Sequence, residues 1–178
     1  MATETEKDIH DLLEKKDVEL DSFLDLFCQG YFDELSIKHV ILNLANCLEL
    51  LVKYRLDQEH WTLIFSDLNK AKYSDYLTGD FTSVDIKSGI LRLMNVCGVD
   101  NTFVASMHIY QYRNRLMHYT LNCTFEEIRK DVANSLKEIA EFVEKEIIEY
   151  LPQEAQKDFQ DSIVDYRKKA GILKNLKI

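Results

Sequence analysis

The segment YRNRLMHYT, residues 112–120, places two arginines, an asparagine and a histidine among apolar residues. Arginine carries a permanent positive charge and a forked set of donors that fits phosphate oxygens. Histidine, with an ordinary pKa of about 6.5, exchanges protons near neutral pH. A base and such a cation are what metal-free cleavage of RNA through its own 2′-hydroxyl requires. Arg113 and His118 are therefore candidates for this chemistry, with Asn114 beside them.

A helix predicted at about residues 101–119 carries these side chains. At about 100° per residue, one narrow apolar stripe should pack on the rest of the protein: Ala105, Ile109, Tyr112, Leu116 and Tyr119. The opposite face mixes apolar and polar side chains: Phe103, Met107, Tyr110, Asn114, Met117 and His118. Such a face should be covered, either by another helix of the same chain, with Asn114 and His118 as satisfied polar groups, or by a second subunit in a homodimer.

The three candidate side chains do not all share one face of that helix. Asn114 and His118 lie together because they are four residues apart. Arg113 lies about 140° around the helix from His118, so one straight helix does not focus all three on one atom. Two copies related by a twofold axis would bring such displaced residues together more easily.

Further candidates lie on a helix predicted at about residues 36–55 and within the same arginine-rich segment. Glu49 and Lys53 are four residues apart, opposite the apolar stripe of their helix. They form either a simple exposed ion pair or a pair in which Glu49 orients a cation or imidazole of the site. Arg115 either binds an adjacent phosphate or is an exposed charge. Tyr110 has a ring that can stack on an unpaired base.

The rest of the chain is also predicted to be helical. One proline and five glycines in 178 residues are too few for a β-rich fold. The sequence predicts a single all-α domain over residues 1–178, a bundle of about five to six helices with an irregular excursion near residues 57–82. Its main helices are expected at about 36–55, 84–96, 101–119, 125–150 and 154–169.

Helix ends are marked by capping residues and by proline. Ser83 is predicted to cap the helix at about 84–96, which Gly98 should end. Thr124 and Glu127 have the spacing of a capping box. Pro152 should stop the helix that follows.

The net charge of −9 opposes broad coating of nucleic acid but allows a local phosphate site. Acids dominate residues 1–35, and every charged residue in 166–178 is basic. Such a basic tail contacts RNA, contacts an acidic partner subunit, or is solvated. The N-terminus lacks a signal-peptide core, and no window approaches about twenty apolar residues, so a soluble, cytoplasmic protein with no membrane contact is expected.

Neither the cysteines nor the histidines have metal-ligand spacing. The cysteines form no CxxC pair, and reduced, mostly buried thiols are expected. The histidines include no HExxH motif, and no glycine-rich phosphate loop occurs. No metal or other cofactor is therefore expected. The cysteines are Cys28, Cys47, Cys97 and Cys123.

Arg113, followed directly by Asn114 and after four intervening residues by His118, resembles the signature of the HEPN superfamily. These are small helical domains of prokaryotic toxins, antiphage systems and RNA-processing proteins. The segment Leu42 to Asp85, which begins LNLANCLELLVKYRL, is similar to a group of bacterial proteins that pair such a segment with an RNRxxH element. The resemblance covers about residues 35–150 and leaves the acidic N-terminal region and the basic tail unexplained.

The resemblance implies a metal-independent endoribonuclease that acts as a homodimer, with the arginine and histidine of both subunits lining an interface cleft. Arg113 and His118 would be catalytic, supported by Asn114 and, less directly, by Glu49. It also implies a role in phage defence, stress response or a toxin–antitoxin system, with an antitoxin or a nucleotidyltransferase-like protein as partner. Some toxins of the superfamily have a tyrosine two residues after the histidine, where this chain has Thr120. The alternative is a non-catalytic HEPN-like module that binds a nucleotide, RNA or a protein.

Overall fold

A computed structural model describes residues 23–30, 34–101, 103–118 and 123–176, apart from the side chains of Glu34 and His118. Within these ranges the chain forms no β-strand, only an isolated antiparallel bridge between Phe65 and Ser83. The predicted all-α bundle is confirmed. Residues 23–28 are helical, and the helices with defined bounds are α1 (Glu34–Glu59), α2 (Tyr73–Thr78), α3 (Ile86–Asn95), α4 (Val104–His118), α5 (Phe125–Glu146) and α6 (Gln153–Asn175).

Helix α1 is the centre of the bundle and packs on α3, α4 and α5. Leu44 and Leu48 of α1, Ile109 of α4 and Phe142 of α5 are fully buried. Burial of each such side chain contributes about 1.5–3 kcal/mol to folding. Helix α5 packs against α4 on one side and along α6 on the other. Helix α4, which carries the candidate residues, is therefore held between α1 and α5.

The segment Leu35–Glu59 of α1 is long and apolar enough to cross a membrane, with a mean hydropathy of 1.4 in its most apolar window. The expectation that no segment approaches this limit was therefore wrong. Length and composition alone do not separate a membrane-spanning helix from the core helix of a soluble protein. Here 56% of that window is buried inside the bundle, because α1 supplies the central packing surface.

The predicted capping residues were right for two helix ends and wrong for one. Thr124 and Glu127 form the expected capping box, with Glu127 Oε2 2.7 Å from the Thr124 nitrogen. Gly98 has a φ of 70° and closes α3, where the Val99 nitrogen donates to the Leu93 carbonyl at 3.0 Å. The cap at the start of α3 is Asp85 and not Ser83.

Asp85 replaces Ser83 as the cap because its carboxylate reaches the first turn of α3. Asp85 Oδ1 accepts from the nitrogens of Lys87 and Ser88 at 3.0 and 3.1 Å. Ser83 lies two residues earlier and takes part in the bridge with Phe65. A carboxylate at the N-cap also interacts favourably with the helix dipole.

The excursion before α3 is irregular, as predicted, but it contains two 3-10 turns, Trp61–Ile64 and Leu68–Lys70, and the short helix α2. Aromatic rings stabilise it: the Trp61 ring lies 5.4 Å from that of Tyr73, and the Phe65 ring stacks on that of Phe81 at 4.2 Å. The Arg92 guanidinium of α3 donates to carbonyl oxygens of this segment, including that of Leu63. The excursion is therefore packed onto α1 and α3.

Up to Asn175, the C-terminal region is part of helix α6 and is not a separate tail. Helix α5 ends at Glu146, a 3-10 turn covers Ile148–Tyr150, and α6 then continues past the predicted limit of about 169. Lys169 is buried and pairs with Asp25 and Asp165 at 2.9 and 2.7 Å. The helix continues because Ala170 and Leu173 are also buried. Most of the acidic region at 1–35 lies outside the described residues.

Candidate functional site

Helix α4 presents its candidate residues on two different sides. The predicted packing stripe is correct where it is described: Ala105 and Ile109 are buried, and Tyr112 and Leu116 are half-buried. The fifth member, Tyr119, lies outside the described residues. The start of α4 is fixed by α5, because Glu138 accepts hydrogen bonds from the nitrogens of Ala105 and Ser106.

In the part of the chain that the structure describes, the mixed face of α4 is covered in its first half. Phe103, just before the helix, is buried, and its ring lies 5.0 Å from that of Phe142. Met107 and Tyr110 are half-buried and pack against the core. Further along, Asn114 is exposed and Met117 is 59% exposed. Among the described residues, the intrachain cover that was one of the two alternatives therefore ends after Tyr110.

Arg113 and Asn114 interact directly on this open part of α4. Arg113 Nη1 donates to Asn114 Oδ1 at 3.0 Å, and the Arg113 guanidinium lies 5.7 Å from the centre of the Tyr110 ring. Within the described chain, no carboxylate lies within 4 Å of this guanidinium. Within the described chain, the Arg113 guanidinium thus contacts an amide oxygen and an aromatic ring but no carboxylate, so it can bind an anion.

The Glu49–Lys53 pair of α1 lies on the same side of α4. Lys53 Nζ is 2.6 Å from Glu49 Oε1 and 2.9 Å from Ser83 Oγ. Burial raises the pKa of the Tyr110 phenol, and the Glu49 carboxylate raises it further. The Arg113 guanidinium acts in the opposite direction. The charges of Glu49 and Arg113 thus both act on the same phenol, that of Tyr110.

His118 is the last residue of α4, and its side chain lies outside the described part of the structure. Along the helix axis it follows Arg113 by about 7.5 Å at 1.5 Å per residue. Its position at the end of the helix leaves it next to residues 119–122, which are likewise outside the described ranges.

Arg115 does not join the Arg113 group. It is exposed, and its charge acts on the Cys123 thiol, whose pKa burial raises. Each of the other four arginines binds a carboxylate or backbone carbonyls of its own chain. Arg55 and Arg129 pair with Glu59 and Glu126, Arg92 binds backbone carbonyls, and Arg167 pairs with Glu144.

A further group of polar side chains lies between α4 and α5 and was missed from the sequence. The Tyr112 hydroxyl donates to Asp131 Oδ2 at 2.7 Å, and His108 Nδ1 lies 3.3 Å from the same carboxylate. His108 and Tyr112 are four residues apart, which would have signalled a shared face. Nothing in the sequence pointed to Asp131 as their partner.

The described residues include no group of three histidine, cysteine or acidic side chains arranged to hold a metal ion. Within the described residues, none of the cysteines at positions 28, 47, 97 and 123 forms a disulfide. Comparison of the chain with protein-family models, with curated proteins and with solved structures finds no match in any of the three. The HEPN resemblance therefore rests on sequence motifs alone.

Proposed function

We propose that this protein is a metal-independent endoribonuclease of the HEPN type. One observation carries the proposal. The half-buried Arg113 donates a hydrogen bond to the exposed Asn114, and no carboxylate of the described chain lies within 4 Å of its guanidinium. Four other arginines are bound to acids or carbonyls of the same protein. A phosphodiester is the kind of ligand that such a free fork recognises.

The proposed reaction uses the 2′-hydroxyl of RNA as the nucleophile. His118 takes the proton of that hydroxyl, and the oxygen attacks the adjacent phosphorus. The bond to the 5′-oxygen of the next nucleotide then breaks, and that oxygen takes a proton from the His118 imidazolium, which leaves a 2′,3′-cyclic phosphate and a 5′-hydroxyl. Arg113 stabilises the negative charge on the non-bridging oxygens, and Asn114 keeps the guanidinium in position.

The proposed enzyme acts as a homodimer, with the second copy over the open end of α4. Exposed Met117 and the polar Asn114 beside it support this arrangement, since a mixture of apolar and hydrogen-bonding groups is typical of subunit interfaces. A twofold axis there would place residues of both subunits around one substrate. The role in phage defence or stress, with an antitoxin or nucleotidyltransferase-like partner, follows only from the sequence resemblance.

Cleavage of RNA in the presence of EDTA tests the activity. The wild type should produce 2′,3′-cyclic ends and leave DNA intact, because DNA lacks the nucleophile. Arg113→Ala and His118→Ala should each abolish cleavage. Arg167→Ala, which removes an exposed pair with Glu144, is the matched control and should retain activity. RNA binding without cleavage by the wild type would instead favour the non-catalytic module.

The mass of the protein in solution tests the dimer. The wild type should be dimeric by light scattering, and Met117→Glu should give monomers with little cleavage. Leu91→Glu places the same charge on α3, at a leucine that is 56% exposed, and should remain dimeric and active. A monomeric but active wild type would refute the shared site while leaving the ribonuclease proposal standing.

A further inference from the structure

An apolar groove lies on α5 between α1 and α6. Helix α5 packs against both of these helices, and side chains of all three line the groove. The cavity at its base has a volume of about 30 Å³ and is lined in part by the Cys47 thiol of α1. Most of the other side chains that line it are apolar: Leu51 of α1, Ile139, Ala140 and Val143 of α5, and Phe159 and Ile163 of α6.

The size of this cavity limits the kind of ligand that it can hold. A cavity of about 30 Å³ has room for about two water molecules. Pockets for cofactors and metabolites start at about 300 Å³. Water gains few hydrogen bonds from apolar walls, and apolar cavities stay dry. We therefore expect the groove to accept apolar side chains of a polypeptide, whose ends fill the cavity.

The helical residues 23–28 lie at one end of this groove and contact both of its walls. The Phe23 ring stacks on that of His39 of α1 at 4.3 Å. Asp25 Oδ1 lies 2.9 Å from Lys169 Nζ of α6. His39 precedes the groove residues of α1, and Lys169 follows those of α6. The chain that precedes Phe23 therefore joins the bundle where the groove begins.

Residues 1–22 carry apolar side chains on one side of a predicted helix. Leu12 and Leu13 follow Ile9 by three and four residues. Such spacing is typical of a helix that packs through one face. The residues next to them are mostly acids and lysines, which suit the opposite, solvated face. This segment is thus a polypeptide of the kind that the groove can accept.

The length of the segment matches the distance to the cavity. Leu13 precedes Phe23 by ten residues, which is about 15 Å along a helix. Cys47 and Leu51 follow His39 by eight and twelve residues, which is about 12 and 18 Å along α1. A helix that continues from Phe23 along the groove therefore brings Leu13 between Cys47 and Leu51.

We infer that residues 1–22 of the same chain dock in this groove as a helix, with Leu12 and Leu13 over the cavity. Docking removes apolar surface of the leucines and of the groove from water, which stabilises the arrangement. The covalent connection at Phe23 keeps the segment at an effective concentration in the millimolar range, which favours its own chain over a second copy. The inference is independent of the proposed ribonuclease.

The reactivity of Cys47 in the full-length protein tests this docking. The thiol lines the groove and is only 7% exposed in the described structure. Leu12→Glu combined with Leu13→Glu should prevent docking, because it would place two carboxylates against apolar walls. The rate at which N-ethylmaleimide modifies Cys47 should then increase about tenfold, since the groove loses its protection. Mass spectrometry of tryptic peptides measures the rate at each cysteine separately.

Lys7→Glu is the matched control. It changes the net charge by the same two units on the opposite side of the predicted helix and should leave the Cys47 rate unchanged. Cys97 and Cys123 are half-buried and do not line the groove, so their rates should be equal in all three proteins. An unchanged Cys47 rate in the leucine variant overturns the inference. An increase at all three cysteines indicates unfolding, and a disulfide experiment then decides.

A disulfide with Cys47 tests the docking without removing the apolar stripe. Under mild oxidation, Leu13→Cys should form it within one chain about tenfold faster than Asp11→Cys, because docking raises the effective concentration of one face only. Asp11 lies two residues away on the opposite face. A disulfide that joins two chains assigns the groove to a second copy and overturns the inference, as do equal rates for the two cysteines. In both proteins serine replaces the other native cysteines, Cys28, Cys97 and Cys123.

Discussion

The ammonium group of Lys53 lies 2.9 Å from the hydroxyl of Ser83 and joins α1 to the segment that leads into α3. The same ammonium is 2.6 Å from the Glu49 carboxylate, so Lys53 occupies the centre of a small polar network. The network lies on the side of α4 that carries Tyr110 and Arg113. The pKa of Tyr110 therefore depends both on Glu49 of the α1 pair and on Arg113, the candidate phosphate-binding arginine.

Two substitutions should shift the pKa of Tyr110 in opposite directions. Glu49→Gln removes a negative charge that opposes phenolate formation, so the pKa should decrease from its raised value. Arg113→Ala removes a positive charge that favours the phenolate, so the pKa should increase further. NMR titration of protein with ¹³Cζ-labelled tyrosine measures both changes.

The Tyr110 resonance in that titration is assigned with Tyr110→Phe. Lys130→Gln, which alters an exposed pair on α5, should leave the titration unchanged. Shifts of the same sign in both variants would contradict the placement of Glu49 and Arg113 around one phenol.

Arg113→Lys should show whether the proposed reaction needs only the positive charge of Arg113 or also the shape of its guanidinium group. Lysine keeps the positive charge but loses the fork that binds two phosphate oxygens together. Cleavage should decrease by about 10²-fold, on the scale of one lost donor to a developing oxyanion. Single-turnover rates at saturating RNA measure the change. An unchanged rate would indicate that Arg113 acts only as a general positive charge or not at all.

Tyr112→Phe should destabilise the protein by about 1–2 kcal/mol, because it leaves the partly buried Asp131 carboxylate without its 2.7 Å hydrogen bond. Urea denaturation at pH 7 measures this loss. Tyr73→Phe is the control, since Tyr73 is 52% exposed and its hydroxyl has no hydrogen-bond partner among the described residues. Equal stability of Tyr112→Phe and the wild type would show that the contact with Asp131 contributes nothing.

Alkaline pH should affect the wild type more than Tyr112→Phe. Burial raises the pKa of Tyr112, and the hydrogen bond to Asp131 raises it further. The folded state thus keeps the phenol protonated after the unfolded chain, with a pKa of about 10, has begun to ionise. The stabilising contribution is complete below pH 10 and decreases as the pH rises above it. Denaturation between pH 9 and pH 11 should show the two proteins converging.

Asp85→Ala should cost about 1 kcal/mol, because it removes the side-chain cap of α3. Asp80→Ala changes the same charge at an exposed residue of the excursion and should alter stability by less than half as much. Thermal unfolding followed by circular dichroism compares them. A larger loss for Asp80→Ala would argue against the observed cap.

The helical class, most helix positions and the capping box at Thr124 could be predicted from the order of residues alone. These features depend on apolar periodicity and on hydrogen bonds between residues three or four apart, which the chain order specifies. Assignment of the cap at Asp85 failed because Ser83 is also a good capping residue. The end of α6 was placed too early because the burial of Lys169 depends on Asp25, a residue far away in the chain.

Which polar side chains meet depends on how the helices pack. The packing of α4 between α1 and α5 brings Glu49 to Tyr110 and joins Asp131 to Tyr112. Arg113 and Arg115 lie on different sides of α4, although the two are only two residues apart in the sequence. Side chains two apart on a helix point in directions about 160° different, so each meets whatever element packs on its own side. The sequence gives the direction of each side chain along α4, and the packing of α1 and α5 supplies its partner.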